Sequence, residues 1–226
     1  RFARRYTPAV VIVAALVVIA ALGFAGYTAM KAAGPRRGSL FMGLVGGFVS
    51  STAVTINASR ASKETPKAAL HLAAAVATAQ AVMFIRTGAL ITVLNASLLD
   101  HAIVPLAAGA IVAIAGALIV ARRAAKLPEP DDVEAGTPDT LGSAVRFVVV
   151  VAIVLVVAHY AQAFAGDPGL MLAGLLSGAV DVDAATVSAS RLAGAQLQEA
   201  SVAAAAASIA AALVANSFVK AGIAYS

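Results

Sequence analysis

Apolar runs alternate with short polar interruptions along the whole chain. About 20 apolar residues cross a bilayer core as a helix. Runs of that kind cover residues 8–30, 66–94, 103–121, 141–164 and 201–225. Two more, 38–59 and 169–190, are weaker, because glycines and hydroxyls or acids interrupt their middles. Pro66 opens the third run, at a position that suits the first residue of a helix. The many Val and Ile residues do not argue for strands, since only helices and closed barrels satisfy their own backbone in lipid. The pattern predicts an all-α membrane protein with about seven transmembrane helices. The acidic, Pro-rich stretch LPEPDDVEAGTPD (127–139) reads as an aqueous linker.

The two weak runs resemble each other. GGFVSSTAVTINASR (46–60) aligns with SGAVDVDAATVSASR (177–191) at a constant offset of 131. Gly47 meets Gly178, Thr55 meets Thr186, and Ala58-Ser59-Arg60 meets Ala189-Ser190-Arg191. Upstream, Gly43 meets Gly174. In the run that follows each, MFIRTG (83–88) aligns with SFVKAG (217–222) at an offset of 134, which pairs Arg86 with Lys220. Chance explains a shared alanine in helices of this composition, but not these motifs recurring in the same order. The expected layout is two three-helix repeats with broken or polar second helices. Residues 1–100 hold the first, 141–226 the second, and 101–140 a linker helix with the acidic cytoplasmic loop. The repeats are parallel if every segment crosses fully and inverted if one is re-entrant; transporters use both.

Composition strengthens the membrane reading. The chain is 61% hydrophobic and 12% charged, against roughly 45–50% and 25% for soluble domains. Its mean hydropathy is +0.93. It has no Cys, which excludes disulfides and thiolate metal sites. The net charge of +5 describes loops and orientation rather than nucleic-acid binding. Arg1, Arg4 and Arg5, then Arg60, Lys63 and Lys67, then Arg122, Arg123 and Lys126 fall on one side if each segment crosses once. Lys31, Arg36 and Arg37 are the exception. The N-terminus is therefore expected in the cytoplasm and the chain in the plasma membrane, as a multi-pass protein. The apolar run at 8–30 is too long for a signal peptide. The chain opens on Arg1 rather than Met, so a fragment of a longer protein is expected.

Asp181 and Asp183 sit deep in the sixth run. On a continuous helix, residues i and i+2 point about 200° apart, and one acid would face lipid at roughly 2.5–3.5 kcal/mol. Either the helix unwinds near Gly178 so that both acids face one cavity, or the acids are wet. Asp181 falls roughly 16 Å into the run, near the midplane of a core about 30 Å thick, which favours unwinding. The aligned segment is polar at the same place. The candidate ion-binding set is Asp181, Asp183, Thr186 and Ser188 in one copy, with Ser50, Ser51, Thr52, Thr55 and Asn57 in the other. Hard oxygens with two carboxylates suit a hard cation such as Mg²⁺, Na⁺ or a proton, with Asp181 and Asp183 as the metal ligands. Arg86 and Lys220, inside apolar helices, are expected to balance charge. Three alternatives stand beside this: the acids and bases neutralise one another, the bases hold an anion, or Lys220 snorkels to the surface.

His71 and His159 read as packed or interfacial residues, Gln80 and Asn216 as hydrogen bonds between helices, and Arg60 and Arg191 as interfacial anchors. Enzyme chemistry is not expected. An intramembrane aspartyl dyad draws its two carboxylates together from separate helices to share a proton; here both lie in one segment. No His-Glu zinc motif or G-x-S-x-G is present.

GPRRGSLFMGLVGGFVSSTAVT, AVMFIRTGALITVLN, LLSGAVDVDAATVSASRLA and ALVANSFVKAGIA together resemble a known family. They are similar to the C-terminal membrane domain of unknown function that follows the MgtC/SapB-type domain in many bacterial and archaeal proteins. The resemblance runs from about residue 8 to the end of the chain. It implies an inner-membrane protein linked to Mg²⁺ homeostasis, with an MgtC-like multi-span domain ahead of it. The lipid bilayer, such a domain or a second copy of the chain are the implied partners. The functional expectation is a transporter or channel-like module for a small ion, a Mg²⁺ or proton-coupled cation. The alternative is a non-transporting structural or regulatory module whose charges pair internally.

Overall fold

The computed structural model describes residues 39–127, 140–195 and 199–225. Among these residues every regular element is helical. We label them α1 (Ser39–Glu64), α2 (Ala69–Asn95), α3 (Leu99–Ala124), α4 (Thr140–Val180), α5 (Val182–Ala195) and α6 (Glu199–Tyr225). Short 3₁₀ turns, Pro66–Ala68 and Ala96–Leu98, lead into α2 and α3. The expected first span at 8–30 and nearly all of the acidic stretch lie outside the described residues.

The sequence boundaries hold within a few residues for α2, α3 and α6 and need adjustment elsewhere. Pro66 heads the 3₁₀ turn before α2 rather than α2 itself. Runs five and six are joined as α4, which is interrupted at Gly166 (φ 60°, ψ −141°). That backbone is open to glycine and hardly to any other residue, and Pro168 follows two residues later, so one helical piece ends and another begins. The interruption foreseen near Gly178 falls at Asp181, between α4 and α5. α1 is interrupted too, at Ser50 (φ −165°, ψ 107°), an extended conformation that needs no glycine.

Among the described residues, four stretches are long and apolar enough to cross a membrane: Leu40–Glu64, Pro66–Ala124, Ala163–Val180 and Val202–Tyr225. The second, 59 residues long, is divided at Asn95 into α2 and α3, each of bilayer-crossing length. α3 leaves Ile103, Val104, Ile111, Val112, Leu118 and Ile119 exposed along its length. An apolar surface of that kind suits lipid rather than water.

The chain divides into two compact units. In one, formed by described residues 39–86, 107–127 and 220–225, α1 packs on the first part of α2. Gly43 lies on the Ala75 backbone, and a Cβ added at Gly47 would stand 2.8 Å from the Ala79 Cα. Ala58, Ala68 and Leu72 form an apolar cluster with Met42, Ala61 and Val76 against it. The other unit holds 87–106, 140–195 and 199–219. There the end of α4 packs on α6, with Gly174 on Ser208 and Gly178 on Ala212. Lipid offers no hydrophobic drive between helices, so small residues that let backbones touch supply the attraction through close packing.

Candidate functional site: two capped helix breaks

An interrupted helix exposes N–H groups on one side of the gap and carbonyls on the other, and lipid satisfies neither. At the α1 break, the Ala53 N–H donates to Ser50 Oγ at 3.2 Å. At the α4–α5 break, the Ala184 N–H donates to Asp181 Oδ1 at 3.0 Å. In each case the side chain at the gap takes the N–H three residues on, which is N-cap geometry. Ser50 and Asp181 are the pair that the offset of 131 aligns. One of the two caps is neutral and the other an acid, yet both do the same work on the backbone.

The agreement extends into the helices that follow. Thr55 Oγ1 donates to the Ser51 carbonyl at 2.9 Å, and Thr186 Oγ1 to the Val182 carbonyl at 2.8 Å. Both threonines are essentially fully buried. Their hydroxyl protons go to the helix backbone and their oxygens remain acceptors.

The carbonyls on the other side of each gap are met by a neighbouring helix, with different chemistry in the two units. Arg86 on α2 donates from one guanidinium nitrogen to the carbonyls of Phe48 (2.8 Å) and Val49 (3.4 Å), the last two before Ser50. A cation at a helix C-terminus also complements the dipole. Asn216 on α6 donates from Nδ2 to the Gly178 carbonyl at 2.9 Å. Asn216 is 2% exposed, and its Oδ1 has no hydrogen-bond partner among the described residues.

Lys220 does not snorkel. It is 4% exposed, and its ammonium donates to Ser51 Oγ (2.7 Å), Gln80 Oε1 (3.0 Å) and Met83 Sδ (3.1 Å). α2 presents Gln80, Met83 and Arg86 at successive turns, so the two buried basic groups, Arg86 and Lys220, both attend residues 48–51 of α1.

Within its own unit, each residue of the expected oxygen set has its own surroundings. Ser50 and Asp181 cap. Ser51 accepts from Lys220. Thr52 is half-buried and Asn57 is exposed. Asp183 is 2% exposed, in the first turn of α5, and Thr186 lies one turn further on. Ser188 is buried, with no partner for its Oγ among the described residues. The sequence reading treated Asn216 as a generic interhelical bond and gave Met83 no role. The only sequence signal for either partnership was an amide or a cation inside an apolar helix. Among the described residues, no group of three or more His, Cys, Asp or Glu gathers as a metal cluster.

Apolar spans and small-residue packing define a helical membrane protein. Residues 17–226 match the family described as Domain of unknown function (DUF4010), and the chain belongs to that family. No curated protein and no solved structure matches it.

Proposed function

We propose that the chain is a polytopic transporter or channel-like module that moves a small cation across the plasma membrane of a bacterium or archaeon. The observation that carries this reading is the pair of matched interruptions at Ser50 and Asp181, each capped within an apolar segment. Interrupted helices in corresponding places of two halves are where transporters put their ion sites. In this reading residues 1–100 and 141–226 are two related three-helix repeats in a seven-span chain with its N-terminus in the cytoplasm. Asp183 and the oxygens near it meet the cation, and Arg86 and Lys220 balance charge. The ties to an MgtC/SapB-type domain and to Mg²⁺ homeostasis belong to the same proposal, as does the absence of an enzymatic role.

A second reading has its own support. Arg86 and Lys220 are already engaged by carbonyl, hydroxyl, amide and thioether groups. A module that only assembles with other membrane proteins would use them so. Reconstitution decides between the two. The purified chain in liposomes, challenged in turn with Na⁺, K⁺, H⁺ and Mg²⁺ gradients, should pass at least one ion faster than protein-free liposomes. Folded protein that passes none of the four rejects transport in favour of assembly.

A further inference from the structure

Leu40–Glu64 is long enough to cross a membrane as one helix, but its contacts are not those of one helix. Residues eight apart on a straight helix are separated by about 12 Å. A Cβ added at Gly46 would nevertheless stand 2.6 Å from Val54 Cγ2, across the gap at Ser50. Met42 likewise packs against the cluster that holds Ala58. The part of α1 after Ser50 folds back beside the part before it.

The register against α2 agrees. A straight α1 turning into α2 at Thr65 would run antiparallel to it, and Gly43, farther from that corner, would meet a later residue of α2 than Gly47 does. The order is the reverse: Gly43 lies on Ala75 and Gly47 on Ala79. The first arm of α1 is therefore parallel to α2. The second arm is antiparallel, with Ala58 in one cluster with Leu72 near the corner. The other copy repeats the parallel register. Ser208 Oγ donates to the Leu170 carbonyl at 2.9 Å and Asn216 Nδ2 to the Gly178 carbonyl at 2.9 Å, each across 38 residues. Arg86 reaches the Phe48 carbonyl across the same 38 residues in the first copy. α5 lies against α4.

No arm is long enough to cross alone. Residues 39–49 make about 16 Å of helix, and 51–64, 167–180 and 182–195 about 21 Å each, against a core of about 30 Å. The lengths also close. At Gly47 the chain is level with Ala79, about 15 Å along α2, and the second arm is the length that returns it to Pro66.

We propose that residues 39–64 and 167–195 are re-entrant hairpins. Each enters and leaves the membrane on one face, with its tip, Ser50 or Asp181, held inside the core against the span that follows. Two of the seven apolar runs then turn back, and the chain crosses five times, which revises the seven-span layout. Non-helical backbone is tolerated at that depth only where protein buries it or a water-filled cavity meets it. Tips of this kind give the transport reading its depth in the membrane, but the hairpins do not depend on transport.

The chain has no Cys, so single-Cys variants report one position each. In right-side-out and inverted vesicles from an expressing bacterium, a membrane-impermeant maleimide should reach Ser39→Cys and Thr65→Cys from the same face. Asp100→Cys, beyond α2, should react from the other. Asp167→Cys and Ala195→Cys should likewise share a face, with Tyr225→Cys on the opposite one. Opposite faces for Ser39 and Thr65, or for Asp167 and Ala195, overturn that hairpin. Nitroxides on the double variant Ser39→Cys, Thr65→Cys in detergent give a reading without a membrane. A straight helix between them holds the labels about 39 Å apart, and a hairpin about 20 Å or less. A distance near 39 Å overturns the first hairpin. Both hairpins present with no ion flux in liposomes rejects transport and leaves the hairpins standing; flux with Ser39 and Thr65 on opposite faces does the reverse.

Discussion

Replacing Asp181 by alanine and by serine separates a charge from a cap. Ala184 is fully buried, and its N–H donates to Asp181 Oδ1 at 3.0 Å. Alanine at 181 leaves that N–H without an acceptor in an apolar segment. Losing an N-cap destabilises by about 0.5–2 kcal/mol, and leaving a buried donor unmet by about 1–3 kcal/mol. Full burial puts this case near 2 kcal/mol. For a chain of this size, that lowers the melting temperature by roughly 4–8 °C. Serine restores an acceptor and should recover most of the loss, to within about 0.5 kcal/mol. At Ser50 the bond is longer, 3.2 Å, and Ala53 is only half-buried. Ser50→Ala should therefore fall nearer the low end, at about 0.5–1 kcal/mol. Ser50→Asp should be tolerated, because a carboxylate favours a helix N-terminus. Circular dichroism at the helix band follows each melt in detergent, which suits a chain without Trp. The capping argument is refuted if Asp181→Ser melts as low as Asp181→Ala, or if Asp181→Ala melts with the wild type.

Three further outcomes follow from the packing. Gly166→Ala should destabilise by about 1–3 kcal/mol although nothing lies within 4 Å of the added Cβ, because φ is +60° there; Gly116→Ala, equally open but helical, should be neutral or stabilising by up to about 1 kcal/mol in the same melts. Gly178→Ala sets a methyl group into the Ala212 backbone and should cost about 1–3 kcal/mol, with loss of the α4–α6 contact seen as faster amide exchange in both helices. Lys220→Met removes a donor from Ser51 Oγ and Gln80 Oε1 and should destabilise by about 1–3 kcal/mol, read by detergent-to-denaturant titration; an unchanged midpoint would mean those bonds contribute nothing net.

The helical membrane class was plain in the hydrophobic pattern, because lipid leaves the backbone so few choices. The position of the α4–α5 interruption was less so. Glycine is the usual breaker, and Gly178 drew the expectation. Gly178 is small because α6 touches it, with Ala212 where a side chain would be; the gap lies three residues later, at a residue that can cap. The same displacement occurs in α1, where Gly47 packs on Ala79 and the gap lies at Ser50. At these two aligned gaps glycine marks close approach and the short polar residue marks the break, whereas within α4 it is Gly166 itself that breaks the helix. The sites of Arg86 and Lys220 were legible as buried cations, but not their partners. Backbone carbonyls of Phe48 and Val49 exist as acceptors only because α1 stops, and no side-chain pattern announces a freed carbonyl.

The aligned interruptions thus share a backbone solution and differ in what meets the carbonyls. At α1 a guanidinium covers Phe48 and Val49. At α4–α5 an amide covers Gly178 and leaves an oxygen over. The position that aligns with Asn216 at the offset of 134 is Val82, buried and unable to donate, so in the first copy that contact falls to Arg86 instead. The base at 86 and the amide at 216 are then two halves of one divergence: a pair of aligned gaps in which one meets its freed carbonyls with a fixed positive charge and the other with a neutral amide.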